Sequence, residues 1–249
     1  MQKPAILFFI KTQREIFMFK IKAIIKSCIN SVGYDIIRYS RKEQSSDNRN
    51  KTEINPLPSD NMIKTEDKPQ FFSMKTPKVD KVHYGCGGTL FLHWLNVDLQ
   101  LQPKQGYFTE NVDLVKRHPF MDDVFKFGFS EDFIEHLDQS EQIIFLCEAY
   151  RTFQPSGVLR FSFPGLEGVL SRHYKDAKYN TAELAKKEAY DMWGHRHFFS
   201  FEELSLLCKH IGYRFVNKVD FGHSQFPELR NLDTRIEQKD LNTYVEVIK

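Results

Sequence analysis

A short apolar run that stops on a cluster of glycines constrains this chain most. Residues 79–84 read as a buried strand, and they lead directly into Gly85-Cys86-Gly87-Gly88. Glycines at a strand end let the main chain turn sharply and let a ligand approach the backbone closely. From there on, strand and helix alternate. Residues 94–99 (Trp-Leu-Asn-Val-Asp-Leu) read as a second strand and residues 124–129 as a third. Residues 139–153 have Ile143, Leu146, Cys147 and Tyr150 on one helical face, and Asp138 with Glu141 forms a capping box at the start. Pro155-Ser156-Gly157 reads as a turn, residues 158–163 as a strand, and Ser200-Phe201-Glu202-Glu203 as a second capping box. That box opens a helix with Leu204, Leu207, Cys208 and Ile211 inward and Gly212 as its stop, before strands at 213–219 and 243–248. Buried strands alternating with helices predict an α/β domain, Rossmann-like and doubly wound, on a mostly parallel sheet with helices on both faces.

The first third of the chain is different material. Residues 1–42 hold nine Lys/Arg against Glu15 and Asp35, so a formal charge of +2 for the whole chain conceals a net-acidic remainder. Within this segment Ile21, Ile24, Ile25, Cys28, Ile29 and Val32 follow helical spacing up to Gly33, while Lys20, Lys22 and Lys26 lie off the stripe. Such a basic amphipathic helix suits adsorption to an anionic membrane surface, and it equally suits packing on the main domain or on a second copy. Residues 43–77 are rich in polar residues and proline with few apolar anchors, the composition of a flexible linker. The domain itself is expected over 78–249, with an insertion at 165–195 and a short helix in it after Asn180 or Thr181. The insertion carries Arg172, His173, Tyr174, Tyr179, Tyr190 and Trp193, which suits a lid over a ligand as well as plain packing.

Several function classes are disfavoured. Cys28, Cys86, Cys147 and Cys208 lack metal-ligand spacing, so no metal site and no disulfide framework is expected, and reduced thiols suit the cytoplasm. No apolar run approaches the ~20 residues of a membrane span. A dinucleotide fingerprint would need a glycine where Leu90 stands. A net-acidic domain does not suit nucleic acid.

The chemistry-bearing residues cluster around the strand ends. Asp98 closes the second strand, where a carboxylate accepts from ribose hydroxyls or else caps the strand. Asp113, placed before the third strand, suits an adenine amino group or a turn. His136, His195 and His197 are the candidate general bases, since imidazole titrates near neutral pH; each also suits a structural or solvated role. Arg196 suits an acceptor phosphate or carboxylate, or solvent.

Taken in order, Val82-His83-Tyr84-Gly85-Cys86-Gly87-Gly88, Trp94-Leu95-Asn96-Val97-Asp98, Asp113-Leu114, Phe133-Ile134-Glu135-His136-Leu137 and residues 149–160 resemble the class I S-adenosylmethionine-dependent methyltransferases, small-molecule or glycan branch. The resemblance covers about 78–220. It implies a seven-stranded sheet ending in a reversed hairpin. It also implies S-adenosylmethionine as cofactor, held by Gly85, Cys86, Gly87, Asp98, Asp113 and Leu114, with 130–136 bordering the transferred methyl group. The expected acceptor is a small molecule or glycan precursor, handled at the inner membrane surface through residues 1–42. The alternative is a degenerate domain serving as a non-catalytic, membrane-associated partner. The sequence departs from the family at His83, where an acid is common, at Thr89, where a third glycine is common, and in the short span from Gly87 to Asp98, which leaves little room for a first helix.

Overall fold

The computed structural model describes residues 74–249. The expectations for residues 1–42 and for most of the linker therefore lie outside the described residues. Seven strands form one sheet: β1 (Lys81–Tyr84), β2 (Leu95–Asp98), β3 (Phe108–Asn111), β4 (Phe125–Glu131), β5 (Phe153–Pro164), β6 (Phe215–Val219) and β7 (Asn242–Ile248). Their order is β3-β2-β1-β4-β5-β7-β6. Every pairing is parallel except those of β7, which runs against both β5 and β6. The chain has a Rossmann-like α/β fold, with the C-terminal hairpin reversed through β7.

Two strand expectations need correction. β3 went unread in the sequence because it is a four-residue edge strand, Phe-Thr-Glu-Asn, exposed at both ends and paired only to β2. An edge strand with one neighbour has little reason to show a buried pattern. Pro155-Ser156-Gly157 is not a turn between elements but a bulge inside β5. Pairing with β4 jumps from Phe125↔Phe153 to Phe127↔Val158, and Ser156 sits at φ 65°.

Among the described residues four α-helices accompany the sheet: α1 (Gln139–Thr152), α2 (Leu166–Val169), α3 (Ala182–Lys186) and α4 (Phe201–Ile211); α2 and α3 each run on into a π-helical turn. The α1 capping box is complete: Glu141 N donates to Asp138 Oδ1 at 3.0 Å and Asp138 N donates to Glu141 Oε2 at 2.8 Å. At α4 only half of the expected box forms. Ser200 Oγ accepts from Glu203 N at 3.1 Å, while the Glu203 carboxylate lies 3.4 Å from His197 Nε2.

The main core lies on one face, where Tyr84, Val97, Phe161 and Val245 of the sheet pack against Phe145 and Leu146 of α1 and Leu204 and Cys208 of α4. The opposite face is covered differently. Trp94, Phe127, Phe129 and Val158 pack under Phe91, Phe226, Leu229 and Leu232, which belong to loops and one short 3-10 turn. Among the described residues no helix lies between β1 and β2, so the expected helical cover of this face is replaced by side chains of the connection itself. On this face Arg160 is fully buried and donates to Asp233 Oδ2 at 2.5 Å, Glu246 Oε1 at 3.2 Å and the carbonyls of Asp220 at 3.0 Å and His223 at 2.7 Å. No helix of the described residues is long and apolar enough to cross a membrane.

Candidate functional site

Strand register brings the chemistry to one edge. Tyr84 pairs with Val97 and with Ser130, and Asp98 with Asn111, so β1 to β4 end level with one another. Strand order reverses between β1 and β4, and ligands in such sheets bind at this carboxyl-end crevice. At the tip of β1, Gly85 has φ 61° and Gly87 φ 52°. A Cβ on Gly85 would lie 2.4 Å from the Phe133 ring, so this glycine lets the turn pack against the segment after β4. A Cβ on Gly87 would meet nothing within 4 Å, so that part of the turn faces open space.

Asp98 joins the turn to β2. Its Oδ2 accepts from Gly87 N at 2.8 Å and its Oδ1 from Leu99 N at 2.6 Å. Each carboxylate oxygen accepts more than one hydrogen bond, so both retain a lone pair for hydroxyl donors. Cys86 is buried, and burial pushes its thiol up to about 12, so it lines the turn as a neutral side chain. His83 stands where the related pattern has an acid. It stacks on Phe91 at 4.3 Å, and burial lowers its pKa to about 4, so it supplies no charge. Asp113 lies after β3, at its carboxyl end, because the edge strand precedes it. Lys116 Nζ lies 2.8 Å from its Oδ2 and Val115 N donates to its Oδ1 at 3.2 Å; the Lys116 bond holds the carboxyl below its usual range. Leu114 is a core residue beside it.

A pyrophosphate calls for a helix N-terminus behind the glycine turn, which is absent here among the described residues. A sulfonium carries positive charge and calls for no such dipole.

A second group assembles just beyond Phe133. A single 3-10 turn, Ile134–His136, follows β4 and turns Glu135 inward with His136 at the rim. Backbone contacts bring the distant histidines here: Arg196 N and His197 N both donate to Glu135 O, at 2.8 and 3.2 Å. Gln142 locks the junction, donating to Ile134 O at 2.9 Å while its Oε1 lies 2.8 Å from His197 Nδ1. The result places the His136 and His195 rings 4.9 Å apart. Both Nε2 atoms face Glu135 Oε1, at 3.9 and 4.0 Å. The Glu135 side chain is wholly buried, and neither carboxyl oxygen has a hydrogen-bond partner. Burial, reinforced by the nearby Asp132 charge, raises its pKa well above the usual carboxylate range. Burial lowers the pKa of His195.

This group opens on a cavity of about 620 Å³ lined by Asp132, His136, Arg172, His173, Trp193, His195 and Arg235 among others. Asp132 is spoken for, with Arg235 at 2.6 Å and Asn242 Nδ2 at 3.0 Å. The insertion therefore supplies one wall, through Arg172, His173 and Trp193, and its short helix α3 begins after Thr181 as the sequence pattern predicts. Tyr179 is fully exposed, and Tyr190 packs on Phe198 at 4.6 Å. His197 is not among the lining residues and is bound to Gln142 and Glu203. Arg196 also points elsewhere, onto the start of α1, with Glu141 at 2.7 Å. Of the three candidate histidines, then, the structure brings two together. Glu135, Asp132 and Arg235 were missed by sequence reasoning. Glu135 sits inside a quoted motif, but only the inward 3-10 turn distinguishes it from an exposed helix-start acid.

No protein-family model matches the sequence, and comparison with curated proteins gives no match. Solved structures do align. A SAM-dependent methyltransferase from Thermotoga maritima has TM-score 0.48 and 19% identity over 70% of this chain and 83% of that chain. One from Mesorhizobium loti has TM-score 0.46 and 16% identity over 70% of this chain and 92% of that chain. Phosphoethanolamine N-methyltransferase 2 of Haemonchus contortus, in complex with S-adenosyl-L-methionine, has TM-score 0.44 and 14% identity over 72% of this chain and 50% of that chain. The likeness is one of fold.

Proposed function

We propose that the chain is an S-adenosylmethionine-dependent methyltransferase acting on a small-molecule or glycan-type acceptor. The observation that carries this reading is the junction of the Gly87 amide with the Asp98 carboxylate at the point where strand order reverses. In this reading Gly85, Cys86 and Gly87 form the floor under the cofactor, Asp98 accepts from its ribose hydroxyls, and Asp113 and Leu114 border its adenine. The cofactor supplies an electrophilic methyl group on a sulfonium; the protein's part is to place an acceptor in line with it and to receive the acceptor's proton. Phe133 packs beside Gly85 just before the turn that carries Glu135 and His136, and the proton is received in the Glu135, His136 and His195 cluster. His197 acts through Gln142, holding the cluster in place. The buried thiols of Cys86 and Cys208 suit a reducing compartment such as the cytoplasm. Contact of residues 1–42 with an anionic membrane surface remains part of the proposal, supported by their excess of Lys and Arg.

Calorimetric titration with S-adenosylhomocysteine, with NAD as control, tests the reading. Saturable binding of the first alone is expected. Asp98→Ala, which removes two charge-assisted bonds of about 1.5–3 kcal/mol each, is expected to weaken it by at least ~10-fold. Absence of binding would transfer the weight to a non-catalytic partner protein.

A further inference from the structure

We propose that Glu135, His136 and His195 form a binding site for one first-row divalent transition-metal ion, of the zinc, cobalt or iron(II) kind, at the floor of the cavity. One ligand atom from each of the three residues lies within 4.8 Å of the others. The two imidazole Nε2 atoms converge on the same carboxyl oxygen, Glu135 Oε1.

The second, independent observation is the state of Glu135. Its carboxyl group is wholly buried, points into the cluster and accepts no hydrogen bond from any other residue. A buried carboxyl without a partner costs stability, and folded proteins rarely retain one without a use for it. His195 shows what that use is. Its Nδ1 lies 2.7 Å from the Ala189 carbonyl, which accepts only, so Nδ1 carries the proton and Nε2 presents its lone pair to Glu135. Two lone-pair-bearing groups thus face each other at 4.0 Å, an arrangement that a cation between them resolves. A carbonyl that fixes the distal nitrogen is also what orients a metal-bound imidazole.

The spacing suits such an ion after a contraction. Ligands about 2.1 Å from a tetrahedral metal lie about 3.4 Å apart, so the two carboxyl–imidazole separations of 3.9 and 4.0 Å close by about half an ångström on binding, and the remaining pair, within 4.8 Å, closes by up to about 1.4 Å. His136, 40% exposed at the rim, has room to move. Two imidazoles and one carboxylate favour zinc, cobalt or iron(II) over magnesium or calcium, which prefer all-oxygen sets. Three protein ligands would leave a position open, and all three residues line the cavity, from which that position would be reached. If the cavity takes the acceptor, a consequence that rests on the function proposed above, an acceptor oxygen at that position would have its pKa lowered by the ion; with the ion bound, the three residues act as ligands instead of receiving the proton, which passes to solvent. The metal site itself rests on the geometry of the cavity alone, so failure to bind S-adenosylhomocysteine would leave it standing.

The test uses the untagged full chain, stripped with a chelator and titrated with Zn²⁺ by calorimetry and with Co²⁺ by visible absorption. One equivalent of each is expected to bind, Co²⁺ with the intense bands of a low-coordinate site, and Zn²⁺ is expected to raise Tm. Glu135→Gln and His195→Ala should each weaken binding at least ~10-fold and abolish the rise in Tm. Should either variant fail to fold, His136→Ala at the exposed rim gives the same reading. Uptake of no metal, or uptake that none of these substitutions weakens, would show Glu135 to be a protonated acid only and would overturn the proposal.

Discussion

Asp233 and Glu135 are both buried carboxyl groups, and their surroundings treat them in opposite ways. Asp233 is 1% exposed and meets the Arg160 guanidinium at 2.5 Å and the Gly222 amide at 2.6 Å. Glu135 is equally buried and meets two imidazole nitrogens and no donor. The first arrangement satisfies its charges within the fold and ties β5 and β7 to the loop at 220–233. The second leaves valence unused beside a cavity. A hydrogen-bonding capacity already filled holds structure together; one left open at a cavity wall is available to a ligand.

The largest expected effect breaks the first arrangement. Arg160→Met leaves Asp233 and Glu246 buried without their cation and should cost about 3–5 kcal/mol in denaturant unfolding. A loss below ~1 kcal/mol would show that the network does not hold the second face. Next comes acid. His83 and His118 are buried, and desolvation lowers each to about 4 from 6.5. Folding therefore excludes protons that the unfolded chain binds between those values, so stability is full above pH 6.5 and falls as pH drops toward 4, by about 3 kcal/mol per histidine. Glu135 has the opposite sign. Its raised pKa makes its contribution greatest below 4.5 and lost as pH rises through the folded value. Unfolding of Glu135→Gln across this range should consequently show a steeper acid loss than the wild type. The smallest loss sharpens the comparison most: at neutral pH, Glu135→Gln should cost no more than about 1 kcal/mol and can stabilise the fold, because no other residue bonds to the carboxyl it replaces and the amide carries no cost of ionisation. A loss as large as that of Arg160→Met would mean that the two carboxyl groups are alike after all.

Much of the fold is legible in the sequence because buried strands and capped helices carry their own signals. Residues 79–84 contain β1, a strand buried on both faces from Val82 to Tyr84, and read as an apolar run, while the Asp138 and Glu141 box and the Leu204 to Cys208 stripe lie in helices that bury one side and report it in their spacing. The failures have physical causes. β3 is a short edge with no buried face to advertise, and Pro155-Ser156-Gly157 has turn chemistry that β5 absorbs as a bulge. The glycine turn and Asp98 were readable because both flank strands in the chain. The pairing of His136 with His195 was not, since it depends on Gln142 and on two amides converging on one carbonyl. Glu135 is legible as a residue type, but its isolation from every donor is a property of the folded chain alone.

The proposed activity requires the cofactor to sit at the carboxyl ends of β1 and β2. Hydrogen–deuterium exchange of the full chain with and without S-adenosylhomocysteine tests this most directly. Exchange is predicted to slow at the amides of residues 85–89 and 98–99, with no change around Asp220, His223 and Arg230, which line a separate cavity. Unchanged exchange at the glycine turn under saturating ligand, or protection confined to that other cavity, would contradict this placement.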